Sequence, residues 1–160
     1  MSDAQNRVLS ELKAGDELPP LGYDVTATTV VLGALATRDW RPMHHDYDFA
    51  VNRNGVKNIF VNTPNQAAWF ERYITDWSGP KGRMGRIRFR MKTSVFPDEH
   101  MIFSGVVREI ETDDAGCGWV KLELTLKVGD TVATGCEARI ALPVDENDNP
   151  WTRKGADWKP

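Results

Sequence analysis

The stretch Thr37-Arg38-Asp39-Trp40-Arg41-Pro42-Met43-His44-His45-Asp46 gathers a carboxylate, two imidazoles and a rigid proline in one short piece of chain. Pro42 has no amide hydrogen and pushes Arg41 out of helical geometry, so Thr37 to Met43 must run as an irregular segment. Such a segment can hold Asp39 and His44 on opposite sides of one small site. A carboxylate and an imidazole tuned apart by their surroundings can share the work of proton transfer, one accepting while the other donates. The spacing alone does not define a site, because two loop side chains this far apart are more often both solvated.

The other chemistry-bearing residues carry less. A metal at His44-His45 would need further ligands, and no other residues stand at ligand spacing, so no metal is expected. His45 reads as a loop residue that helps position Asp46 or its neighbour, and His100 as a strand-edge residue. Arg86, Arg88, Arg90 and Lys92 form an alternating row that could meet phosphate groups, with Lys81 and Arg83 as comparable candidates. A solvated strand face explains the same row.

The elements that must position the pair are partly legible. Leu18-Pro19-Pro20-Leu21-Gly22 marks a loop, followed by a short first strand over Tyr23 to Thr26. Thr28 or Thr29 could cap a short helix through Leu35, and a second short helix is expected over Asp46 to Asn52. The third helix is the clearest. Asn62 or Thr63 serves as N-cap, Pro64 suits the first turn, and Ala67, Phe70, Ile74 and Trp77 recur at helical spacing before Ser78-Gly79-Pro80 ends it. Arg86 to Lys92 then alternates strictly, as a strand with one buried face does. Met101 to Ile110, Trp119 to Val128 and Val132 to Leu142 read as further strands. Helices followed by a four-strand meander predict an α+β fold with the long helix lying on the sheet.

The chain has 160 residues, 41% hydrophobic and 27% charged, with a formal net charge of −3. That length suits one domain with its own core, with a polar extension from about residue 144. The extension is either a frayed tail or a docked segment anchored by Trp151 and Trp158. No basic excess points to nucleic acid. Two cysteines, Cys117 and Cys136, suit a reducing compartment. The polar opening Met1-Ser2-Asp3-Ala4-Gln5-Asn6 begins a loose lead-in with room for one helical turn, and lacks the apolar core of a signal peptide. No apolar run approaches the roughly 18 residues of a membrane span. A cytoplasmic protein without membrane contact is expected.

The spacing Asp39-x-x-Pro42-x-His44, five further residues and Ala50 resembles the signature of R-specific enoyl-CoA hydratases of the MaoC-like family. Ile59-Phe60-Val61-Asn62 ahead of the long helix and Val95-Phe96-Pro97-Asp98-Glu99 continue the resemblance, which runs from about Tyr23 to Pro143. Ala34 to Asp39, His44-His45-Asp46 and Arg72 to Pro80 are similar to the small catalytic subunits of bacterial steroid-side-chain hydratases within that family. The resemblance implies a hot-dog fold, an antiparallel sheet wrapped around one long central helix. It implies a lyase that adds water across a 2-enoyl-CoA to give a 3-hydroxyacyl-CoA, with a bulky steroid-type acyl group. Asp39 and His44 would be its catalytic pair. Coenzyme A belongs to the substrate, so no cofactor is expected. The partner would be a second copy or, as a hetero-oligomer, a second MaoC-like chain.

Within that reading, main-chain amides at Asn62 and Thr63 would stabilise negative charge on the thioester oxygen, and Arg86 and Arg88 could meet coenzyme A phosphates. Three positions depart from the usual family pattern. Arg38 stands where glycine precedes the catalytic Asp, Arg41 where asparagine precedes the proline, and Val61-Asn62 where His-Gly opens the helix. The competing expectations are a hot-dog thioesterase, for which Glu71 is the only carboxylate on the long helix before Asp76, and a non-catalytic subunit. Keeping both Asp39 and His44 argues against the latter.

Overall fold

In the computed structural model, which describes residues 6–160, the chain folds in the order β1 (Glu17–Asp24), α1 (Ala27–Ala36), α2 (Tyr47–Asn52), α3 (Thr63–Ser78), β2 (Arg83–Met91), β3 (His100–Thr112), β4 (Gly118–Val128) and β5 (Thr131–Leu142). All five strands join one sheet in the order β1-β3-β4-β5-β2, each neighbouring pair antiparallel. The first five residues of the polar lead-in lie outside the described residues. Beyond them the lead-in forms a short 3-10 turn, Leu9–Glu11, pinned by the Leu9 amide on the Pro143 carbonyl at 2.8 Å.

α3 forms where the sequence places it. The Asn62 side chain caps it by accepting from the Asn65 amide, Pro64 lies in the first turn, and Gly79 ends it at φ 77°, a left-handed conformation that suits glycine. Its buried face is Asn65, Gln66, Phe70, Tyr73, Ile74 and Ser78, with Trp77 partly buried against the same core. Phe70 is completely buried. Its ring meets Phe103 of β3 edge-on at 5.0 Å and stacks on Phe89 of β2 at 6.3 Å. The sheet thus curls around the helix from both sides, the hot-dog arrangement.

Two expectations need correction. The meander holds only three strands, because β2 pairs with β5 at the far edge, from Arg83↔Ala141 to Met91↔Thr134, and not with β3. Alternation in a sequence reports which face a residue occupies and says nothing of which strand is its neighbour. The connection after β2 spans residues 92–99 and turns at Phe96–Glu99, where the Glu99 amide donates to the Phe96 carbonyl at 3.4 Å. It starts with the Lys92 and Thr93 amides on the Ala133 carbonyl and ends with the Asp98 amide on the Val25 carbonyl, at 2.7 Å, carrying the chain across the sheet. Second, Leu18 to Gly22 is strand and not loop. Among the described residues β1 has only β3 as a neighbour, and its pairing is interrupted between Leu18 and Leu21. An edge strand tolerates the missing amides of Pro19 and Pro20 at such an irregularity.

The C-terminal segment docks. The Trp158 ring lies 4.9 Å from that of buried Trp119, and the Arg83 guanidinium stacks on Trp158 at 3.6 Å. Arg153 bridges Asp148 and the Gly116 carbonyl, both at 2.8 Å. Gly85 leaves the room that Trp119 and Pro160 need, since a methyl group there would overlap the indole. Trp151 remains 55% exposed and anchors nothing in the core.

Because Phe70 joins the helix to both flanks of the sheet, Phe70→Ala is expected to cost about 3–5 kcal/mol in urea unfolding. A loss under about 1 kcal/mol, the range of surface changes, would show that the helix is held elsewhere.

Candidate active site

The end of α1 delivers Asp39. Arg38 takes φ 53°, its amide donates to the Leu35 carbonyl, and the Asp39 amide donates to the Ala34 carbonyl at 2.9 Å. These two bonds close a Schellman motif, whose left-handed position is the one where the family usually carries glycine. Arg38 adopts it at a cost that glycine would not bear. The following 3-10 turn, Pro42–His44, delivers His44. Asp46 then caps α2 by accepting from the Phe49 amide at 3.0 Å.

Asp39 and His44 come together. The Asp39 side chain is 8% exposed and that of His44 3%, with Oδ2 and Nε2 3.5 Å apart. His44 Nδ1 lies 2.8 Å from the Phe60 carbonyl oxygen. A carbonyl only accepts, so Nδ1 carries a hydrogen and Nε2 is the nitrogen free to gain or lose a proton. Nε2 is buried and has no hydrogen-bond partner among the described residues. The Phe60 ring meets the imidazole edge-on at 4.8 Å and fixes its plane.

Asp39 is surrounded by donors. Arg41 Nε binds Oδ1 and Arg41 Nη2 binds Oδ2, both at 2.8 Å, and the Arg41 amide reaches Oδ1 at 3.4 Å. Asn62 Nδ2 adds a bond to Oδ2 at 3.0 Å. The Arg41 guanidinium, assisted by Asn62, the Arg41 amide and the nearby His44, holds this carboxyl well below the usual carboxylate range against the opposing effect of burial. These donors favour the anionic form of Asp39.

Asn62 was expected to contribute a main-chain amide. Its side chain turns out to be the junction of the site, donating to Thr37 Oγ1 at 2.8 Å as well as to Asp39 while its oxygen caps α3. Arg41 and Thr37 also join the site. No local pattern links Asn62 to residues 23 and 25 positions earlier. The main-chain amides of Asn62 and Thr63 lie at the positive end of α3. Pro64 supplies no amide, and that of Asn65 is taken by the cap, which leaves those two as the first-turn donors. Asn62 has φ −74°, ordinary for any residue, so replacing glycine there keeps the amide in place.

Arg86 and Arg88 do not join this group. Ile87 and Phe89 pack toward the core, so Arg86 and Arg88, which precede them in the alternation, point to the opposite face of the sheet. Arg86 Nη2 donates to the Pro160 carbonyl at 3.0 Å. His45 is exposed, and His100 pairs with Asp24 at 2.6 Å. Among the described residues no group of His, Cys, Asp and Glu could hold a metal, and no helix is long and apolar enough to cross a membrane. A cavity of about 450 Å³ between α1 and α3, walled by Tyr23, Leu32, Trp69 and Arg72, has neither Asp39 nor His44 in its lining. Gly33 and Asn65 approach each other so closely at its border that a methyl group on Gly33 would overlap the Asn65 amide.

No family profile matches the chain. It is 36% identical over 123 residues to the 3-oxo-4,17-pregnadiene-20-carboxyl-CoA hydratase beta subunit of Mycobacterium tuberculosis, covering 77% of this chain and 92% of that protein. The chain belongs to the MaoC-like hydratase family. A chain of the ChsH1-ChsH2 complex from Mycobacterium tuberculosis superposes with a TM-score of 0.75 at 29% identity, over 81% of this chain and 98% of that one. The (R)-hydratase from A. caviae involved in PHA biosynthesis shares the fold, with a TM-score of 0.73 at 21% identity, over 82% and 98% of the two chains.

Arg38→Gly removes the left-handed penalty while adding the backbone entropy of glycine, so it is expected to stabilise the fold by about 0.5–1 kcal/mol in chemical denaturation. A destabilised Arg38→Gly would mean that the Arg38 side chain, not the backbone turn, holds the Asp39 loop.

Proposed function

We propose that this chain is a catalytic subunit that hydrates a 2-enoyl-CoA carrying a bulky, steroid-type acyl group, with Asp39 and His44 as the catalytic pair. The observation that carries the reading is the buried, unpartnered Nε2 of His44 lying 3.5 Å from the Asp39 carboxylate. A nitrogen so placed is ready to exchange a proton with a water or substrate entering between it and the helix.

In this reading the thioester oxygen lies at the Asn62 and Thr63 amides, at the positive end of α3. Water attacks C3, negative charge moves onto that oxygen, and the pair takes one proton from the water and returns one to C2. Losing one donor of this type costs about 10²–10³ in rate. The reaction needs no electron carrier and no metal. Arg86 and Arg88 remain candidates for coenzyme A phosphates only if the coenzyme crosses to the outer face of the sheet. A coenzyme A thioester substrate and two free, buried cysteines suit a cytoplasmic site of action.

The acyl group is inferred from the relative, named for a pregnadiene carboxyl-CoA, and the partner from its description as a beta subunit and from the two-chain complex. The sheet supports assembly. Its β1 edge is blunted by two prolines, whereas β2 presents an edge from Arg83 to Met91 without any, and such edges are usually paired or covered.

Asp39→Asn and His44→Ala should each lower kcat by about 10²–10⁴ without loss of folding, and the double change should cost far less than the product. His45→Ala should keep most activity. Near-normal turnover in both single variants would end the assignment, and released thiol in place of 3-hydroxyacyl-CoA would make the chain a thioesterase. Comparing a steroid 2-enoyl-CoA with crotonyl-CoA, with and without a co-produced MaoC-like chain, tests the acyl group and the partner together. Preference for crotonyl-CoA by a chain that light scattering shows to be monomeric in both settings would replace this reading with a short-chain hydratase.

A further inference from the structure

Resting on the hydratase reading, we propose that Arg41 is a positioning residue that fixes both oxygens of Asp39, so that His44 Nε2 is the one atom of the pair that takes and returns the proton. The geometry is asymmetric. Four donors converge on the Asp39 carboxylate, three of them from Arg41: Nε on Oδ1 at 2.8 Å, Nη2 on Oδ2 at 2.8 Å and the main-chain amide on Oδ1 at 3.4 Å. The fourth is Asn62 Nδ2 at 3.0 Å. His44 Nε2 has none. A carboxylate whose lone pairs are occupied by charge-assisted hydrogen bonds is a poor proton acceptor, and the depressed titration of Asp39 agrees with this.

The step balances with one base. The water O–H breaks toward Nε2 as the oxygen bonds C3, and the C2–C3 π pair moves onto the thioester oxygen, giving an enolate and an imidazolium. Nε2–H then protonates C2 and the enolate returns to the thioester, so the net change is the addition of one water. Asp39, 3.5 Å away, stays an anion throughout and stabilises the imidazolium. In hydrolytic triads the carboxylate binds the other ring nitrogen; here the Phe60 carbonyl takes that place and Asp39 faces the reactive nitrogen directly.

Arg41 suits the task because its guanidinium can reach both oxygens from outside. Its side chain is 60% exposed while that of Asp39 is 8% exposed, so it closes the site from the solvent side and adds little to the core. Among the described residues, the titratable groups within ion-pair reach of Asp39 are Arg41 and His44. The neutral ones are Asn62 directly and Thr37 through it. On the other side His44 faces the Phe60 carbonyl and ring.

The experiment uses the full chain, with its partner if activity requires one. In the wild type kcat/KM should fall toward acid pH, as expected of a base that starts unprotonated, with no alkaline limb. Arg41→Ala should lower kcat about 10–100-fold, the worth of a charge-assisted hydrogen bond converted to rate, with KM largely kept and the melting temperature close to wild type. Arg41→Lys should recover part of the loss, because an ammonium supplies the charge without the fork. Carboxyl ¹³C NMR should show Asp39 flat through the ordinary carboxylate value of 3.8 in the wild type and titrating toward that value in Arg41→Ala. A wild type that fails to hydrate enoyl-CoA at all would defeat the underlying hydratase reading. An active wild type with unaltered Arg41→Ala kinetics, or with an alkaline limb showing that His44 must be protonated at the start, would overturn this proposal alone.

Discussion

A carboxylate that is nearly closed off from water keeps its charge only if donors replace the lost hydration, and the ends of two helices are arranged here to meet that requirement. Asn62 makes the arrangement possible. Its amide nitrogen reaches Thr37 and Asp39 at the end of α1, while its oxygen satisfies an orphan amide at the start of α3. One side chain therefore sets the distance between the Asp39 loop and the helix terminus. A shift of α3 would strain the bonds of Asn62 to Thr37 and Asp39.

The sheet makes that helix terminus a fixed point. Phe70 and Ile74 are fully buried in the face that the strands enclose, so α3 has little freedom to slide or rotate. Its N-terminal end is held from another direction. The Val61 amide donates to the Val95 carbonyl at 2.9 Å, and both residues are completely buried. Val95 belongs to the connection that carries the chain from β2 across to β3. Placing β2 beside β5 thus has a consequence for the site, because the crossing chain braces the segment that presents Phe60, Val61 and Asn62. A simple β2–β3 hairpin would leave no such strut.

What could be read in the sequence was local, and what could not was long-range. α3 was legible because its cap, its first-turn proline, its apolar spacing and its terminal glycine all lie within a few residues of one another. The irregular Asp39–His44 segment was legible from Pro42, and the family spacing named the pair. Pairing of β2 with β5 was hidden because strand alternation is the same whichever neighbour supplies the hydrogen bonds. β1 was underestimated because Pro19-Pro20 reads as a loop unless the strand is known to lie at an edge. The sequence marks Asn62 for its backbone, whereas the reach of its side chain to Thr37 and Asp39 depends on a fold that no short window contains. The row of arginines on β2 was legible as a face, and the structure gives one of its members a definite local partner in the Pro160 carbonyl.

Arg38 and Arg41 look alike as departures from the family pattern and differ entirely in physics. At Arg38 what counts is the backbone, since a Schellman motif demands a left-handed residue and the exposed side chain makes no hydrogen bond or ion pair among the described residues. The strain there is local and is balanced by the two main-chain bonds that aim Asp39. At Arg41 what counts is the side chain. An asparagine in its place would offer a neutral amide, whereas the guanidinium offers two parallel charge-assisted bonds to one carboxylate. The exchange binds the anion more tightly and makes it less willing to accept a proton. Under the proposal that Asp39 and His44 form the catalytic pair, strengthening the carboxylate's partners in this way would shift the burden of proton transfer to the neighbour that stays unpartnered, the buried Nε2 of His44.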